Sequence, residues 1–152
     1  MHEIYSDFIA HIYSLKKGEP IPTNRLNKLG TLIENQLTAP PTDYNPRTDE
    51  GNITIRLPVF ASVNVTSRNY LSRRAKAAVC RRLKDDFDVC FIGYMQRRYK
   101  ERNRINRKVY IIEIIEDFCQ DYHICMTGEN IDLLKKKYYR YIEPMTPRRQ
   151  KK

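Results

Sequence analysis

An apolar side chain stands at every fourth position from Leu71 through Ala75, Val79, Leu83, Phe87, Phe91, Met95 and Tyr99. Only an α-helix brings residues so spaced towards one side, and the row lasts for about eight turns. Ser72 can supply the N-cap, so one long helix is expected to about residue 102. Steps of four overshoot a turn of about 3.6 residues by about 40° each, so the row winds round a straight helix and cannot face one partner throughout. That winding, together with the acids and the glycine of residues 88–93, predicts a kink or break there.

The same stretch carries the charge. Residues 67–108 hold fourteen bases, among them Arg73, Arg74, Arg81, Arg82, Arg97, Arg98, Arg102 and Arg104, against the four acids Asp85, Asp86, Asp88 and Glu101. This local excess equals the net charge of the whole chain, +10, so the flanks nearly cancel. None of these arginines falls on the apolar row, and Arg73, Arg81 and Arg97 lie opposite it. A charge run on a helix is commonly no more than a solvated face. An excess this concentrated goes beyond what solubility needs and points to a polyanion, DNA first and RNA as an alternative. The eight arginines are therefore expected to hold a phosphate backbone.

At 152 residues, with 41% hydrophobic and 30% charged side chains, the chain is expected to form one compact domain, or one with a small appendage. It has no charged segment leading into an apolar one at its start, and no apolar run of about eighteen residues. A cytoplasmic protein with no membrane partner is expected, with Cys80, Cys90, Cys119 and Cys125 reduced. Cys119-x-x-x-His123-x-Cys125 lacks the paired Cys-x-x-Cys spacing of zinc sites, and Cys119 falls on an apolar stripe. As a nucleophile, Cys119 beside His123 has no visible orienting carboxylate or oxyanion donor. Asp85, Asp86 and Asp88 could gather Mg²⁺, but Asp85 and Asp88 are more readily paired with Arg81, Arg82 or Lys84. No metal, cofactor or enzymatic activity is expected.

Before the long helix, Ile4, Phe8, Ile12 and Leu15 mark one amphipathic helix, and Leu26, Leu29, Ile33 and Leu37 a second, with Thr23 as its N-cap. Together they predict a helical hairpin over residues 1–37, with His2 and His11 on its solvent side. Residues 38–52, rich in Pro, Asp, Asn and Thr, read as a linker. Ile53, Ile55 and Leu57, and then Val59, Ala61, Val63 and Val65, alternate as strands do, divided by Pro58.

After the long helix, Asn106 can cap a helix with Val109, Ile112, Ile115 and Cys119 on one stripe and Ile111, Ile114, Phe118 and Tyr122 on the next. Its remaining face carries Glu113, Glu116, Asp117 and Asp121, which could pair with arginines of the long helix and so remove them from phosphate binding. Thr127 caps a last helix with Ile131, Leu134, Tyr138 and Tyr141 or Ile142 inward. Lys135, Lys136, Tyr139 and Arg140 lie outward. The lysines also fit a plain helix-dipole role, and Tyr139 is the one phenol of this group left for stacking or phosphate bonding.

Two consecutive helices, the second opening on Thr127 with a basic, tyrosine-bearing outer face, resemble the helix-turn-helix DNA-binding proteins of bacterial mobile elements or phages over residues 106–142. The resemblance implies that the last helix enters a major groove. Base reading would then fall to Glu129, Asn130, Lys136 and Arg140, with Lys135 and Lys137 nearer phosphate.

The expected fold is mainly α: a helical bundle with a long basic helix, an N-terminal helical hairpin and a short β segment. The expected division is a hairpin at 1–37, a linker at 38–52, a basic helical domain at 53–143 and a basic tail at 144–152. The alternative to nucleic-acid binding is a non-enzymatic interaction or assembly protein, dimeric through its hairpin, whose basic helix meets an acidic partner.

Overall fold

The computed structural model describes residues 2–16, 19–23, 28–45, 53–57, 68–104 and 110–143. The fold is mainly α, with helices α1 (Glu3–Ile12), α2 (Lys28–Gln36), α3 (Arg73–Arg104), α4 (Ile111–Asp121) and α5 (Gly128–Ile142). Four two-residue strands accompany them: β1 (Ile21–Pro22), β2 (Leu37–Thr38), β3 (Ile55–Arg56) and β4 (Tyr70–Leu71). Two compact units share the chain, Met1–Asp86 and Phe87–Lys152.

In the first unit, α1 buries Ile4, Tyr5, Phe8 and Ile9, and α2 buries Leu29 and Ile33. Ile12, on the same stripe of α1, is 50% exposed. His2 caps α1, its Nδ1 accepting the Ile4 N–H at 3.4 Å. The Thr23 hydroxyl donates to the Arg56 carbonyl at 2.7 Å, while the residues between it and α2 lie outside the described ones. β1 pairs with β3 in parallel, Ile21 opposite Ile55, and β2 pairs with β4 antiparallel, Leu37 opposite Leu71. These ladders join residues before and after the 39–52 segment, and the division into compact units falls between Asp86 and Phe87. Leu26, Pro58, the second alternating run at 59–65, Asn106, Val109 and the 144–152 tail lie outside the described residues.

α3 begins as expected, with Ser72 Oγ accepting the Ala75 N–H at 3.2 Å. It then continues as one helix for 32 residues, which corrects the break into two helices expected at 88–93. The winding of the apolar row needs no break, because Ala75, Val79 and Leu83 are buried in the first unit while Phe87, Phe91 and Met95 are buried in the second. Each stretch serves its own core. Gly93 meets open space, so the helix passes through it at a cost of about 1 kcal/mol relative to alanine.

In the second unit, Phe118 of α4 packs against Phe87, Phe91, Tyr94 and Tyr122, with ring centroids 4.6 to 5.9 Å away. Edge-to-face and tilted arrangements of this kind add to area burial. α4 runs antiparallel to α3, since Arg102 meets Glu113 and Asp117 while Tyr94 meets Asp121. α5 returns alongside, with Lys137 2.6 Å from Asp88 and Gln96 2.9 Å from Tyr141. α4 starts at Ile111 after an extended Tyr110 rather than at Asn106.

Two helices end in the same way. At α1 the Leu15 N–H reaches Ala10 O and Ser14 N–H reaches His11 O; at α4 the Ile124 N–H reaches Cys119 O and His123 N–H reaches Gln120 O. Both are Schellman closures. Their left-handed residues are Ser14 (φ 51°) and His123 (φ 53°), where glycine is the usual occupant. Among the described residues no helix is long and apolar enough to cross a membrane.

Candidate nucleic-acid interface

α3 presents its cations because the buried row takes the other side of the helix. What they meet divides the eight arginines singled out by sequence into two kinds. Arg102 is only 17% exposed; its guanidinium is held 2.7 Å from Asp117 and also by Glu113. Arg98 donates to the Tyr94 hydroxyl at 3.3 Å and stands 3.6 Å from Asp121 and 3.7 Å from Glu101. Arg82 grips Asp86 one turn on, at 2.8 Å. Arg102 is thus bound by acids of α4 and Arg98 lies close to another, the pairing that the sequence raises against phosphate binding.

Arg73, Arg74 and Arg81 in the first unit, and Arg97 and Arg104 in the second, are exposed and meet no carboxylate among the described residues. Lys100, which lies between the last two, shares this state. Arg97, Lys100 and Arg104 follow one another at steps of three and four, so they share one helix face. Arg97 also lies 5.5 Å from the centroid of the Tyr94 ring, a contact that leaves its charge intact.

On α5 the outer residues Lys136, Tyr139 and Arg140 are exposed, as are Glu129, Asp132 and Glu143 on the same side. That face is mixed in sign, and on α3 the exposed acids Asp85, Asp86 and Glu101 likewise stand among the more numerous cations. Lys135 stands 3.8 Å from Asp132, one turn back. Lys137 is held by Asp88 and faces the bundle. Asn130, expected among the base-reading residues, is 2% exposed: its side-chain amide donates to the Cys125 carbonyl at 2.8 Å. Its N–H donates to Thr127 Oγ1 at 3.2 Å, closing the N-cap of α5. Asn130 is a structural residue, a role that the x-Thr-x-x-Asn spacing alone does not reveal. Residues 122–127 connect the two helices, a longer connection than the three or four residues usual in a helix-turn-helix.

The acids of α3 are likewise placed differently from expectation. Asp86, not Asp85, pairs with Arg82, and Asp88 reaches across to Lys137. Among the described residues no group of three His, Cys, Asp or Glu side chains is placed to hold a metal ion. Cys119 is buried, and burial, followed by the charge of Glu116, pushes its thiol up to about 11, the opposite of what a reactive thiolate needs. Tyr94 is also pushed up, first by burial and then by its hydrogen bond to Asp121 at 2.6 Å. Tyr122, bonded to the Cys90 thiol at 3.1 Å, is pushed up to about 12, first by that bond and then by burial.

The chain matches no protein-family model, no curated protein and no solved structure.

Proposed function

We propose that this protein binds nucleic acid, DNA in the first instance, by its phosphates, through the exposed cations of α3, those of the first unit and those of the second each forming a patch of its own. One observation supports the reading most directly: Arg73, Arg74, Arg81, Arg97, Lys100 and Arg104 are exposed and unmatched by carboxylates among the described residues. Five acids of the described residues, Asp86, Asp88, Glu113, Asp117 and Asp121, are instead engaged with Arg82, Arg98, Arg102 and Lys137. Cations left in this state attract a polyanion and gain entropy by releasing its condensed counterions. Lys136 and Arg140 add contacts at the end of α5, where Glu129 and Asp132 further back repel phosphate. Binding on this account tracks the backbone and carries little sequence preference. The test is equilibrium binding of a labelled DNA at about 50 and 200 mM salt. Affinity should fall steeply between the two, and binding that is absent at low salt, or indifferent to salt, rules the reading out.

A further inference from the structure

The C-terminal halves of α3 and α5 carry a group of phenols that phosphate contacts leave unused. Gln96 Nε2 donates to Tyr141 Oη at 2.9 Å and ties the two helices together at this end. Around the buried Tyr138 stand Tyr99, Tyr139 and Tyr141, near enough to reinforce the upward push that burial gives its pKa. The rings of Tyr138 and Tyr139 are 6.5 Å apart. Tyr99 is 42% exposed and Tyr139 50% exposed. Rings left half in water contribute less to packing than buried ones, and a cluster of them marks a surface for a partner.

Cations flank both rings. Lys135 and Lys136 lie one helical turn before Tyr139, Arg140 follows it, and on α3 Lys100 follows Tyr99 with Arg104 a turn further on. Of these, Lys100, Arg104, Lys136 and Arg140 have no carboxylate partner among the described residues. The acids nearby are Glu143, exposed at the end of α5, and Glu101, which stands 3.7 Å from Arg98.

Resting on the nucleic-acid reading above, we propose that this end of the second unit holds a single strand, its bases stacked on Tyr99 and Tyr139 while Lys100, Arg104, Lys136 and Arg140 follow its phosphates. A duplex has its base faces closed against one another, whereas a single strand offers a free π-face at every nucleotide. An acidic polypeptide offers charge without flat faces.

The experiment uses the full chain with a short labelled oligothymidylate, a duplex of the same length, and polyglutamate as competitor. The single strand should bind at least about tenfold more tightly than the duplex. Tyr139→Ala and Tyr99→Ala should each weaken it by about five- to hundredfold. Tyr139→Phe should retain most of the affinity, since stacking needs the ring and not the hydroxyl. Circular dichroism melting shows which variants are folded. If Tyr99→Ala is not, Tyr139→Ala decides together with quenching of the wild-type emission, which comes from tyrosine alone in a chain with no tryptophan. Equal binding of strand and duplex, unmoved by the alanine variants, overturns the single-strand inference and leaves the phosphate reading standing. Polyglutamate competing as well as oligothymidylate, or no salt-dependent binding of either nucleic acid, overturns both.

Discussion

Replacing Arg97, Lys100 and Arg104 together by glutamine should weaken binding and leave folding untouched, because these side chains share one exposed face and meet no carboxylate among the described residues. Each substitution at such a site is expected within about 0.5 kcal/mol of neutral. If each cation neutralises one phosphate, the slope of log affinity against log salt should become shallower by about 2.7 on a duplex and about 2.1 on a single strand. A fourfold change in salt then alters wild-type affinity about fortyfold, or about twentyfold, more than that of the variant. The matched control is Arg102→Gln. Its charge is committed to Glu113 and Asp117, at 17% exposure against 37% for either acid. Losing two charge-assisted bonds in that half-screened setting should cost about 2 to 3 kcal/mol, or a melting temperature roughly 4 to 12 °C lower. The salt slope of this control should not move. Fluorescence anisotropy over a salt series and thermal melting of all three proteins decide the matter. A triple variant with the wild-type slope, or an Arg102→Gln protein that loses slope and keeps its stability, would refute the division of arginines into free and committed.

Other outcomes follow from the same geometry. Ser14→Gly should stabilise the chain by several tenths to about 1 kcal/mol in urea unfolding, since glycine removes the left-handed strain at φ 51° and returns part of the gain as unfolded-state entropy; a loss of stability would contradict the closure described for α1. Phe118→Ala empties the centre of a five-ring cluster at 0% exposure and should cost about 3 to 5 kcal/mol, visible as a large fall in urea midpoint. Asn130→Ala should destabilise by about 0.5 to 1.5 kcal/mol by removing one hydrogen bond to the Cys125 carbonyl, which keeps the Thr127 N–H at 3.0 Å, with no change in the sequence preference of any DNA bound. Stability should also decline in alkali. The Cys119 thiol is raised from 9.0 to about 11 and the Tyr122 phenol from 10.0 to about 12, so above about pH 9 the unfolded chain has released more protons than the folded one. The contribution of these groups is complete below that pH and is lost as pH rises through about 11 to 12, which urea midpoints measured from pH 8 upward will show.

Reading the sequence was most successful where one local signal decided the outcome. Ser72 and Thr127 cap helices as short-range hydrogen bonding requires, and the spacing of Ile4 and Phe8, of Ile114 and Phe118, and of Leu134 and Tyr138 puts each pair in a core. It failed where a partner distant in sequence decided. Nothing in residues 88–93 states that the neighbouring stretches of α3 serve separate cores, which is what lets a winding row continue without a break. The ends of α1 and α4 were obscured because their left-handed positions hold serine and histidine instead of glycine. Two-residue ladders between positions some thirty residues apart are likewise too short to leave a periodicity.

The candidate surface divides in the same manner. Charge balance and helix periodicity are properties of the chain alone, so the sequence by itself determined that residues 67–108 are strongly cationic and contain a long helix within a mainly α protein. Which cations remain available is a question of distance, and only the packing of α4 and α5 on α3 answers it. That packing binds Arg98 and Arg102 to acids of α4 and Lys137 to Asp88, and it leaves Arg97, Lys100 and Arg104 facing water beside half-exposed Tyr99. Coulomb attraction acts through space with a strength set by separation and burial, and neither quantity is written along the chain.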